Sequence, residues 1–131
     1  MLKVVGRGEG DWLRPDEMKS FPSTDLLIIN NLWTKHSDCK FGFSIQKQIY
    51  ESIRKLFQTI DESPHIELTT LQQTQLFSNE SVEFVKVLGW QVDRYKDLTF
   101  DLEKAPVGHL PGCWAFRFFC FGWYVLSRKE L

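Results

Sequence analysis

Few side chains in this sequence stand where they could do chemistry. His36 and Cys39 lie three positions apart and resemble a base beside a nucleophile. Near a helix end, however, His36 reads better as a cation facing the last carbonyls. His109 sits in Ala105-Pro106-Val107-Gly108-His109-Leu110-Pro111, a stretch too rigid for an ordinary turn. Two roles are open for it: a structural ring that bonds backbone carbonyls, or a ligand contact, extending to an axial metal ligand. A single histidine with no carboxylate nearby in sequence argues only weakly for metal. Gly6-Arg7-Gly8-Glu9-Gly10 is neither G-x-G-x-x-G nor a GK[ST] phosphate loop, and reads as a flexible terminus. GxSxG, HExxH and paired-carboxylate motifs are absent. Cys39, Cys113 and Cys120 are odd in number and lack zinc spacing. The expectation is therefore a binding protein with no catalytic residue and no metal site, rather than an enzyme.

Aromatic content points the same way. Five Trp, eleven Phe and three Tyr in 131 residues exceed what one small core needs, so some are expected to line a pocket. Sixteen basic and seventeen acidic side chains give a formal net charge of -1, which is no footprint for nucleic acid. The cysteine pattern suits a reduced, intracellular setting. Residues 1–10 lack the apolar run of a signal peptide.

The elements that must position these residues read as helices. Ser23-Thr24-Asp25 offers caps for a helix over about 24–36, with Leu26, Ile29, Leu32 and Trp33 at helical spacing. Leu27 and Ile28 widen that face and predict a well-buried helix. Ser44 is the expected cap of a helix running to about 59, with Ile45, Ile49, Ile53 and Leu56 inward. Phe41 and Phe43 would staple its entry, and Gly42 would supply a positive φ. Ile49 is expected to be fully buried against the preceding helix. Residues 59–79 read as an insertion with a weak helix at 67–77, followed by a separate helix closed by Gly89, with Val82, Val85 and Leu88 inward. Residues 90–112 read as turns. Seven of the fourteen residues from Cys113 to Leu126 are aromatic, and Arg117 is the lone charge among them. That stretch is shorter than the roughly 20 residues of a membrane span, so it reads as a buried or pocket-lining helix, with a membrane-surface role as the alternative. The expected organisation is a flexible 1–10, one domain over 11–126, and a tail at 127–131.

Five blocks in order, FPSTDLLIINNLW (21–33), HSDCKFGFSIQKQIY (36–50), LGW (88–90), LTFDL (98–102) and APVGHLP (105–111), resemble the genomes-uncoupled-four domain. The resemblance covers about residues 11–117. This sequence departs from the family in the turn Asp38-Cys39-Lys40, where a glycine usually precedes the phenylalanines. It also has Cys120 in place of a second arginine.

The resemblance implies an all-α, mainly helical fold, compact and shaped like a cupped hand, with long loops around a ligand cleft. It implies binding of protoporphyrin IX or Mg-protoporphyrin IX and stimulation of magnesium chelatase, in chlorophyll biosynthesis, through that enzyme's large subunit. The setting implied is cyanobacterial cytoplasm or plastid stroma, with peripheral membrane association left open and no cofactor required. A porphyrin is a flat apolar macrocycle with two propionates, so it wants an aromatic slot and cations at the rim. Phe41, Phe43, Tyr95, Leu98, Phe100, His109 and Leu110 are the expected walls. Arg117 matches a basic position of the family and would hold a propionate. The alternative is a sensory or protein-interaction module that keeps the fold and binds porphyrin weakly or not at all.

Overall fold

The computed structural model describes Glu17 and residues 19–60, 70–92, 97–112 and 125–131. Three helices order this part of the chain: α1 (Ser23–His36), α2 (Phe43–Ile60) and α3 (Thr70–Val87). No strand occurs among the described residues, so the all-α expectation holds.

α2 and α3 pack on each other and carry the core. Tyr50, Ile53, Phe84, Leu88, Trp90, Leu98 and Leu126 form one buried cluster, with Ile49, Phe57, Val85 and Val92 against its edge. Phe84 joins the layers through edge-on ring contacts to Tyr50 (centroids 5.4 Å apart) and Trp90 (6.0 Å), geometry that favours aromatic pairs. A second cluster of Phe41, Ala105 and Leu110 is covered by Trp33.

Several expected faces are rotated. On α1, Leu26 is buried but Ile28 and Leu32 are 53% and 54% exposed, so the helix lies at the edge of the fold. The inward residue there is Asn30, which serves α2. Its Oδ1 accepts the Ser44 N–H at 2.9 Å. α2 therefore takes its cap from a neighbouring helix, and Ser44 lies inside the first turn instead of capping it. Phe43 also lies within the helix, with none of its surface exposed. Ile49 is only half-buried, packed on the α2/α3 cluster and beside Gly108. Leu56 and Val82 face outward at 63% and 57% exposure. α3 runs unbroken through the boundary expected near residue 78.

α3 stops at Gly89 by backbone geometry. Gly89 N–H donates to Lys86 O and Trp90 N–H to Val85 O, with φ of +68° at the glycine. This double bond pattern closes a helix through a left-handed residue, a conformation glycine adopts without a Cβ clash. No described helix is long and apolar enough to cross a membrane.

Candidate functional site

The stretches 40–46, 88–90 and 105–111 meet in space. Gly42 N–H donates to Leu110 O at 3.0 Å, and Gly108 N–H to Lys40 O at 2.8 Å. Gln46, only 2% exposed, uses its Nε2 group twice: it donates to Gly108 O at 2.8 Å and Pro111 O at 2.9 Å. Trp90 Nε1 donates to His109 O at 2.7 Å. His109 Nδ1 lies 2.6 Å from Leu88 O. A carbonyl only accepts, so Nδ1 is the donor of this bond. The ring's Nε2 is buried with no hydrogen-bond partner among the described residues. His109 is thus a structural ring tying the turn to the end of α3.

Close approach explains the glycines. A Cβ at Gly108 would come within 2.7 Å of both Ile49 Cδ1 and Leu88 Cδ2, and one at Gly42 within 2.8 Å of Thr34 Cγ2. Both residues also have positive φ, +78° and +132°. The turn before α2 is shaped further by Ser37, whose Oγ accepts the Phe41 N–H at 2.8 Å and donates to Trp33 O at 2.7 Å.

The residues before and within this turn expose three apolar side chains beside the charged Asp101, Glu103 and Lys104. Phe100, Leu102 and Val107 are 54%, 48% and 51% exposed. Lys40 ties these segments together, since its Nζ donates to Leu102 O and its carbonyl takes the Gly108 N–H. The ammonium also sits 5.7 Å from the Phe41 ring centroid, within cation–π range. Of the expected wall residues, Phe41, Phe43, Leu98, His109 and Leu110 are buried beneath this surface and Phe100 stands on it. Tyr95 and Arg117 lie outside the described residues. Sequence reasoning missed Asn30, Gln46 and Lys40. The signal for Gln46 was a polar residue between Ile45 and Ile49 on the first turn of a helix otherwise polar only on its outer side.

Among the described residues, three groups titrate away from their ordinary values. Burial, then the nearby Glu80 charge, pushes Tyr50 up to about 12, and its hydroxyl lies 3.4 Å from Glu80 Oε2. Asp101 is held low by the Glu103 N–H and by Lys104, which steadies the turn at 101–104. Glu130 is pulled to about 2 by bonds from Arg128 and Ser23. Arg128 also reaches Lys19 O at 3.1 Å, and Lys47 Nζ holds Arg128 O at 2.7 Å, so residues 128–130 are clasped onto α1 and α2. Among the described residues no three His, Cys, Asp or Glu side chains gather as a metal site.

A family profile described as GUN4-like matches residues 1–123. The chain belongs to the GUN4-like family. It is 33% identical to the chloroplastic tetrapyrrole-binding protein of Arabidopsis thaliana over 102 residues, 72% of this chain and 32% of that protein. It is 32% identical to a Ycf53-like protein of Synechocystis sp. over 115 residues, 84% of this chain and 39% of that protein. The chain thus spans about a third to two-fifths of the length of these curated GUN4-like relatives. The ligand-free structure of Arabidopsis thaliana GUN4 superposes with a TM-score of 0.68 at 24% identity, over 99% of this chain and 79% of that one. GUN4 from Chlamydomonas reinhardtii gives 0.66 at 24% identity, over 98% and 72%. These likenesses establish the GUN4 fold.

Proposed function

We propose that this chain binds a tetrapyrrole on the surface built by residues 98–110. The observation that carries the reading is a set of exposed apolar side chains, Phe100, Leu102 and Val107, on segments that bonds from Lys40, Gln46 and Trp90 hold still. A flat macrocycle gains by covering apolar surface, and a rigid receptor loses little entropy when it binds. Phe41, Phe43, Leu98, His109 and Leu110 would shape that wall from behind. Tyr95 would extend it, and Arg117 would bond a propionate. The name of the Arabidopsis relative supports a tetrapyrrole as ligand. Protoporphyrin IX and Mg-protoporphyrin IX are the ligands proposed, and no cofactor is required.

The role proposed is regulatory rather than catalytic: stimulation of magnesium chelatase through its large subunit, in chlorophyll biosynthesis. The setting would be a plastid stroma or a cyanobacterial cytoplasm, consistent with the relatives' origins. Reconstituted magnesium chelatase assayed with and without the chain tests the partner. A faster approach to Mg-protoporphyrin is expected. Unchanged chelatase rates alongside tight porphyrin binding would leave a sensory module instead.

A further inference from the structure

We infer that Lys40 is a carboxylate-recognising residue of this surface, gripping one propionate of the bound tetrapyrrole. The inference rests on the tetrapyrrole reading and names its contact for the acid group.

Lys40 is an unusual surface lysine. Its ammonium is fixed by backbone carbonyls, Leu102 O and Glu103 O, the second at 3.4 Å. An ammonium has three N–H donors, so two are spent on the fold and one remains. Its charge has no carboxylate within ion-pair distance among the described residues. The neighbouring acid is already engaged: Asp101 takes the Glu103 N–H at 2.9 Å, the Lys104 N–H at 3.4 Å and the Lys104 ammonium at 3.3 Å. Lys40 ties the segments that carry the half-exposed Leu102 and Val107: its ammonium bonds Leu102 O, and its carbonyl takes the N–H of Gly108, next in sequence to Val107. Free lysines lose much rotamer entropy when they grip an anion, whereas this one is already held. A pre-oriented cation that shares its attraction for Asp101 with Lys104, tied to segments that expose Leu102 and Val107, complements a ligand with an apolar face and a carboxylate at its edge. A tetrapyrrole bearing propionates has that chemistry.

The test compares protoporphyrin IX with its dimethyl ester on the full chain. The parent should bind the diacid roughly two- to five-fold more tightly, the upper part of the range for an exposed charged contact. Lys40→Met keeps the apolar stem and removes the charge. It should lower diacid affinity by about that factor and leave ester affinity unchanged, while Lys40→Arg should restore part of the difference. Were Lys40 only a staple for the 102–103 turn, Lys40→Met would weaken diacid and ester alike, and that result overturns the inference. Should Lys40→Met fail to fold, Lys40→Gln takes its place, since its amide can still donate towards the 102–103 carbonyls without the charge: it must lose diacid affinity and keep ester affinity, and equal loss of both overturns the inference. A parent that binds neither porphyrin refutes the tetrapyrrole reading itself, whereas equal binding of both refutes only the Lys40 contact.

Discussion

Removing the Gln46 amide is the sharpest perturbation of the framework under the proposed site. One Nε2 group holds two carbonyls three residues apart, at 2.8 and 2.9 Å, from a side chain that is 2% exposed. Gln46→Leu keeps much of the volume but strands both oxygens. The Gly108 bond is buried and the Pro111 bond partly so. An unsatisfied buried acceptor costs about 1–3 kcal/mol, and a partly wet one less, giving about 2–4 kcal/mol together. Against a total stability of about 5–15 kcal/mol that is a large loss. With a urea dependence of about 1.5 kcal/mol per molar, the midpoint should fall by about 1.3–2.7 M. Gln46→Glu should be worse at neutral pH, because a carboxylate would face two carbonyl oxygens. Burial and those oxygens raise the folded-state pKa of the introduced acid above its unfolded value near 4.3. Its penalty is therefore smallest below about pH 4 and grows as pH rises through that window. Urea titrations followed by tryptophan emission at several pH values measure all of this. A Gln46→Leu midpoint equal to the parent's, or a Gln46→Glu penalty independent of pH, would refute the reasoning.

Further expectations follow from the same geometry. Gly108→Ala must push aside Ile49 and Leu88 from 2.7 Å contacts at a positive φ, so it should cost at least about 1–3 kcal/mol in chemical denaturation. A loss below about 0.5 kcal/mol would mean that the turn relaxes freely. The clasp at residues 128–130 should weaken in acid. Glu130 is depressed to about 2, so its contribution is complete above its ordinary range near 4.5 and is lost as pH falls towards 2. The parent and Glu130→Gln should therefore converge in thermal stability as the pH approaches 2 and differ most at neutral pH. Phe100→Ala, at a side chain 54% exposed, should weaken porphyrin binding about ten-fold while moving the melting temperature by only a few degrees.

The helical class was legible in sequence because apolar spacing and cap residues are local. α1 begins within one residue of its expected start, and α2 begins two residues before the helix that a Ser44 cap would open. The close of α3 at Gly89 was legible for the same reason: a left-handed cap is written into a few neighbouring residues. Rotation of each helix about its axis was not. Leu32, Leu56 and Val82 fit a helical stripe yet face outward, since what covers a stripe is decided by distant segments. The Asn30 cap was hidden because its partner, Ser44, lies fourteen residues away on another helix. At the site, the rigidity of 105–111 was visible in its prolines and glycine, but its anchors were not. Gln46 lies 62 residues from Gly108, and no local rule pairs them. Lys40 looked like an ordinary charge beside two phenylalanines until its ammonium was seen seated on the carbonyls of residues 102 and 103.

Equilibrium titration of the chain with protoporphyrin IX, read by tryptophan emission, tests the central claim most directly. Trp33 covers the Phe41–Ala105–Leu110 cluster and Trp90 is bonded to the His109 carbonyl, so both report on the 105–111 turn. Saturable quenching at low micromolar porphyrin, weakened by Phe100→Ala, is the predicted result. Emission that stays flat to high micromolar porphyrin would contradict the account and leave the chain a protein-interaction module on a GUN4 fold.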